Sequence, residues 1–346
     1  MLFRSTLIQG DDGILYGTAL TDSKGFGAVF SVTTSGTVKV LHSFEGSPTD
    51  GAGPYASLVK GRDGNLYGAT FNGGPSNSGT VYRMTPQGSL TILYAFKGMS
   101  DGAGPFAALV QAADDSFYGT TRTGAIYKVS PGGAFAVVHQ MNAEAEGESV
   151  DSALALGTDG NLYGTARGGG PTDRGTVFQV TPGGAVTVLH AFAGKADGDA
   201  PEAGLITAAD GSFYGTTAGA YGAGTGRRIF RITPEGVFNV LHAFDPDNSS
   251  PSAPLLLGSD GSFYGTTIGG SSTSSGRSIV FRLTAAPPVP STPLGSFDAP
   301  ANGLTVSGEV PLTGWAVDDS GVSGVDIYRS AVAGEPTQSK IGRAHV

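Results

Sequence analysis

Short apolar runs, each closed by a turn signal, recur along the first 284 residues of the chain. One unit shows the order. Ala56-Ser57-Leu58-Val59 leads to Asp63-Gly64-Asn65, then to Leu66-Tyr67-Gly68-Ala69-Thr70. A Gly/Ser/Asn loop (Gly73–Gly79) precedes Thr80-Val81-Tyr82-Arg83-Met84. The turn Thr85-Pro86-Gln87-Gly88 and the run Leu90-Thr91-Ile92-Leu93-Tyr94-Ala95-Phe96 complete it. The runs are rich in Val, Ile, Phe, Tyr and Thr, which suit a pleated, half-buried surface. Asp-Gly and Pro-x-Gly are turn signals because glycine accepts positive φ without a steric penalty. The pattern predicts four short strands per unit, a to d, and no helix of useful length.

The pair Tyr-Gly marks each unit, at Tyr16, Tyr67, Tyr118, Tyr163, Tyr214 and Tyr264, spaced by 51, 51, 45, 51 and 50 residues. A period near fifty with four strands per copy is that of a β-propeller blade. The fold expected is therefore all-β: a propeller with six visible four-stranded blades over residues 1–284. The a–b turns (Asp12, Asp63, Asp159, Asp210, Asp260) should share the bottom face. The b–c loops, Gly269–Gly276 included, and the d–a loops with Asp50, Asp101 and Asp197 should share the top. The third blade departs most. Its b–c loop shrinks to Arg122–Ala125, Asp114-Asp115-Ser116 replaces Asp-Gly, and Met141 replaces the last Phe.

The sixth copy stops after strand c at Phe281-Arg282-Leu283-Thr284, and the first begins at strand a. A strand d supplied from upstream, or further blades, is expected to complete the ring. Residues 285–293 read as a Pro-rich linker, extended and exposed. Residues 294–340 read as part of an immunoglobulin-like sandwich, too short for a whole one, with Trp315 as a core residue. Residues 341–346 match the translation of a sequencing adapter and are expected to be a non-native tail.

Composition narrows the function classes. Glycine is 57 of 346 residues, but 39% of residues are hydrophobic, so the glycines belong to turns and not to a disordered chain. Net charge is −9, which repels a phosphate backbone or an anionic lipid surface. Nucleic acid is therefore not an expected partner, nor is membrane insertion: no run of eighteen apolar residues occurs. There is no cysteine, so neither disulfides nor thiolate metal sites exist.

The units resemble the GloVer tandem repeat of bacterial "choice-of-anchor" proteins. Residues Gly61–Thr70, Gly157–Thr165, Gly258–Thr267, Gly175–Pro182 and Val188–Phe192 carry the likeness, which extends over residues 5–284. Phe297–Pro300 and Gly314–Asp319 look like a bacterial Ig-like domain. The resemblance implies an exported or surface-anchored bacterial protein and supplies no catalytic residue.

The residues able to carry chemistry mostly follow the repeat. His42, His139, His190 and His242 share one place in strand d, which Tyr94 fills in the second blade. A group repeated once per blade reads as packing with a polar tip, because a catalytic His should break the symmetry. On that reading His42 shares a face with Val40 and Phe44. The Tyr-Gly tyrosines read as core between blades, and the bottom-face aspartates as turn formers. Asp245-Pro246-Asp247-Asn248-Ser249 alternates oxygens as a calcium loop does, but Ser250 and Leu256 stand where glycine and an acid belong. Gly222–Gly226 lacks the Lys-Ser/Thr of a phosphate loop. The one asymmetric cluster is Glu144, Glu146, Glu148 and Asp151, read as a solvated acidic loop with a cation site as the alternative.

No catalytic, cofactor-binding or metal-ligating residue emerges. The expectation is a monomeric, non-catalytic, extracellular or cell-surface module that binds an unknown glycan or protein. The first alternative is a propeller enzyme, since the blade grammar is similar to that of streptogramin lyases; the second is a ligand-free spacer.

Overall fold

The computed structural model describes residues 6–194, 196–219, 226–244, 250–251, 253–267 and 278–284, and beyond them the backbone of four strands. The chain divides into two compact units, Met1–Arg282 and Leu283–Val346. Unit 1 is all-β, with no helix among the described residues. Among the described residues, five antiparallel four-stranded sheets follow one another, and a sixth has three strands. These are the blades of a propeller. The second comprises Val59–Lys60, Leu66–Thr70, Thr80–Met84 and Leu90–Ala95. The sixth comprises Leu256–Leu257, Ser262–Thr266 and Val280–Thr284. In unit 2 the strand Leu294–Ala299 pairs with Thr313–Val317, and Gly324–Ser330 with Gln338–His345.

The core lies between blades. Tyr67, Val81 and Phe96 of the second meet Leu109, Phe117, Tyr127 and Val129 of the third. Tyr163, Val177 and Phe192 of the fourth meet Leu205, Phe213, Phe230 and Ile232 of the fifth. Each such side chain contributes about 1.5–3 kcal/mol on burial. The glycine of Tyr-Gly is required by close approach: a Cβ on Gly68 would stand 2.5 Å from the Tyr82 hydroxyl on the paired strand.

Every complete blade has a β-bulge in strand d. In the first, Val40 pairs with Phe30 and His42 with Val29, so Leu41 is the extra residue. The bulge breaks the simple alternation expected of that strand. Leu41 packs against the core while Val40 is 42% exposed. His42 and Val40 therefore do not share a face as expected; His42 stays with Phe44, ring centroids 4.9 Å apart. The bulge also explains the glycine of the next blade's c–d turn. A Cβ on Gly184, whose φ is +92°, would meet the Val138 carbonyl at 2.3 Å.

The turns are more than chain reversals. Asp63 Oδ1 accepts the Asn65 N–H, and its Oδ2 accepts the Tyr67 hydroxyl at 2.8 Å. Tyr16–Asp12, Tyr163–Asp159 and Tyr264–Asp260 repeat that bond. The inter-blade tyrosine is thus tied to the turn that precedes its strand.

Candidate functional site

The d–a and b–c loops do share a face: Gly51–Ala52 pairs with Asn72–Gly73, and Ser47 Oγ donates to the Gly74 carbonyl. Two positions per blade define the mouth of that face. One lies four residues before strand a; the other lies at the C-terminal end of strand b, within two residues of its last position. A backbone bond couples them. The N–H of Phe71, Arg122, Arg167 and Ala218 donates to the carbonyl of Gly53, Gly104, Ser149 and Ala200, each two residues before the first position. The mouth pairs are therefore Tyr55 and Phe71, Phe106 and Arg122, Asp151 and Arg167, and Glu202 and Ala218.

This ring does not repeat. On one side Tyr55 stacks on Phe106 at 5.1 Å and meets Phe71 edge-on at 5.5 Å. On the other side are Arg122, Asp151, Arg167 and Glu202. Arg167 Nε pairs with Glu202 at 3.0 Å. Arg122 is exposed. The Asp151 carboxyl is lifted above its ordinary value by burial, which outweighs the opposing charges of Arg122 and Arg167. Its Oδ1 is buried and accepts no hydrogen bond. No protein group donates to it, so this oxygen can take a hydrogen bond from solvent or a ligand.

The strand-d histidines are elsewhere. His42, His139 and His190 each place Nε2 against a carboxylate of the following loop: Asp50 at 2.9 Å, Glu146 at 2.8 Å and Asp197 at 3.0 Å. Tyr94 does the same with Asp101 at 2.5 Å. The same carboxylates accept the N–H of Glu45, Asn142, Ala193 and Lys97. This is a loop clamp repeated by blade.

The acidic cluster of the fourth blade comes apart accordingly. Glu146 is a clamp residue, Glu148 forms a backbone bridge with Gly168, Glu144 is exposed, and only Asp151 reaches the mouth. Among the described residues no three His, Asp or Glu side chains are grouped to hold a metal ion. The segment 245–249 and residues 222–225 lie outside the described residues.

A repeat propeller with one asymmetric mouth is the class that fold and site define. The chain belongs to the Gloeobacter/Verrucomicrobia repeat family, whose pattern matches residues 3–125 and again 121–328. No curated protein matches it. Among solved structures, a Bacteroides uniformis protein assigned as a 6-phosphogluconolactonase is 16% identical over 96% of both chains, with TM-score 0.49. A Thermus thermophilus protein assigned as an oxidoreductase (glucose dehydrogenase) is 17% identical over 82% of this chain and 97% of that one, with TM-score 0.48. A puromycin hydrolase is 14% identical over 79% of this chain and 43% of its own, with TM-score 0.46. At such identity the likeness speaks for the fold alone.

The expectation of a non-catalytic binding module is corrected. The structures named above carry enzyme names, which are said of those proteins alone. The expectation rested on repetition without a singular residue, and the mouth carries several. The sequence signal was present: Tyr55, Phe106, Asp151 and Glu202 occupy equivalent places in successive blades and differ in every one.

Proposed function

We propose that the chain is a propeller enzyme that transfers a proton to or from an anionic substrate at the mouth of its top face. The observation that carries this is Asp151: a half-buried carboxyl with a raised proton affinity, one unpaired oxygen and two arginines acting on it. Such a group suits general acid–base work. Protonated, it can donate to a leaving oxygen; ionised, it can accept a proton from carbon or water. Arg122, exposed, can bind a substrate carboxylate or a developing oxyanion. Arg167 is held in place by Glu202. The wall of Tyr55, Phe71 and Phe106 accepts an apolar or ring face beside the charge.

Elimination and hydrolysis, lactone opening included, both begin with such a transfer. No His stands among the described mouth residues, so a lyase mechanism here would use the carboxyl where streptogramin-type lyases use His. An extracellular setting and an Ig-like character for residues 294–340 belong to the same proposal, supported by the resemblance of the repeats to those of choice-of-anchor proteins and by the sequence around Phe297 and Trp315.

The test is a turnover screen with lactones, esters and uronate-containing saccharides, followed by Asp151→Asn. Loss of kcat by roughly 10²–10⁴-fold supports the assignment. Undiminished turnover in the variant, or no turnover across the panel, overturns it.

A further inference from the structure

A second feature opens on the same face, between the first and second blades. It is a cavity of about 590 Å³, within the ~300–1,000 Å³ usual for small-ligand pockets. Its lining has a definite chemistry. Phe26 and Tyr55 supply aromatic surface, while Thr21, Ser47, Asn72 and Asn77 supply hydroxyls and amides. No charged side chain lines it among the described residues. Asn77 Oδ1 and Ser47 Oγ are engaged, by the Gly73 N–H and the Gly74 carbonyl. They hold the wall. Asn72 is fixed through its backbone, in the short pair with Gly51–Ala52, which leaves its amide to the cavity. Gly53 lies at a φ of +65°, and a Cβ there would come within 3.2 Å of the Tyr55 ring and 3.9 Å of Asn72 Nδ2. The ring, the amide and the bare backbone thus converge.

We infer that this cavity binds an uncharged sugar ring. A neutral, hydroxyl-rich ligand with an apolar C–H face is the class that aromatic rings alternating with amides and hydroxyls recognise. An anion would find no cation in the cavity, and a purely apolar ligand would leave the Asn72 amide unpaired at a cost of about 1–3 kcal/mol. Phe26 is 42% exposed, an uneconomical placement for a merely structural ring and a suitable one for a stacking platform. Tyr55 belongs both to the cavity and to the mouth, so a bound ring would share that side chain with the rim that also carries Asp151. This deepens the proposed function: the substrate becomes a saccharide whose uncharged residue sits here and whose anionic residue reaches the arginines.

Saturation-transfer NMR and calorimetry of the full chain with cellobiose, maltose and chitobiose test the site. At least one should bind, and Asn72→Ala and Phe26→Ala should each weaken it tenfold or more. Both variants should keep the parent melting curve, since neither side chain belongs to the inter-blade core. Asp151→Asn should leave disaccharide affinity unchanged, which separates this site from the catalytic reading: binding can stand when turnover fails, and the reverse. No binding by any of the three sugars, or full binding by folded Asn72→Ala and Phe26→Ala, overturns the inference.

Discussion

His190 Nε2 lies 3.0 Å from Asp197, and its ring stacks on Phe238 of the next blade at 3.7 Å. Two blades earlier Tyr94 bonds to Asp101 and stacks on Phe135 at 3.5 Å. The two residues are physical equivalents, each offering a flat ring with a polar tip. His190→Tyr should therefore change stability by less than about 1 kcal/mol, whereas His190→Ala should cost about 2–4 kcal/mol by losing the stack and leaving Asp197 short of a partner. Urea unfolding of the two variants decides. Equal losses would mean that the ring and its tip contribute nothing specific.

Acid should destabilise the propeller in two stages. Burial lowers the His190 proton affinity below its ordinary 6.5, more than Asp197 restores it. Its contribution is complete above that value and is lost as pH falls through the lower folded value. Asp63 and Asp159 are drawn upward by burial but held below 3.8 by bonds from Tyr67 and Asn65, and from Tyr163 and Asn161. Their contribution is complete above 3.8 and disappears below it. Urea midpoints followed downward from neutral pH should show the first decline in wild type and a smaller one in His190→Tyr.

Asp151 has the opposite sign. Its folded proton affinity is raised, so its ionised form opposes folding at neutral pH and stability recovers as pH falls through the folded value. Asp151→Asn should raise the melting temperature at neutral pH while abolishing turnover. A fall in melting temperature would show that the carboxylate is structural.

Asp115 stands where other blades place the turn glycine, at a φ of +63°. Its ion pair with Arg62 is exposed on both sides and contributes little. Asp115→Gly should stabilise the chain by about 0.5–1 kcal/mol by removing the left-handed strain. Differential scanning calorimetry would register this as a higher transition temperature; a lower one would assign the larger role to Arg62.

What repeats was legible in the sequence and what does not was hidden by it. Tyr67, Asp63 and Gly68 recur, so their strands and turns could be read from spacing alone. The bond from Tyr67 to Asp63 could not, because it joins residues whose approach depends on the hairpin being closed. The bulge at Leu41 was invisible for a similar reason: alternation continues in the letters while the register slips. Asp151 was noticed for its acidic neighbours, but Glu146 beside it turned out to belong to the loop clamp. Charge proximity along the chain placed together two residues that the loop separates. The mouth ring offers the opposite case, residues about fifty apart in sequence brought onto one rim.

The main-chain bond that couples the two mouth positions of each blade has an evolutionary consequence. Phe71, Arg122, Arg167 and Ala218 make the same main-chain bond with four different side chains. Their identity is therefore free to drift without loosening the scaffold, much as type can be reset in a fixed frame. Related chains can be aligned blade against blade and compared at those two columns, and the letters found there should sort them by what they act on, even where every other position looks alike.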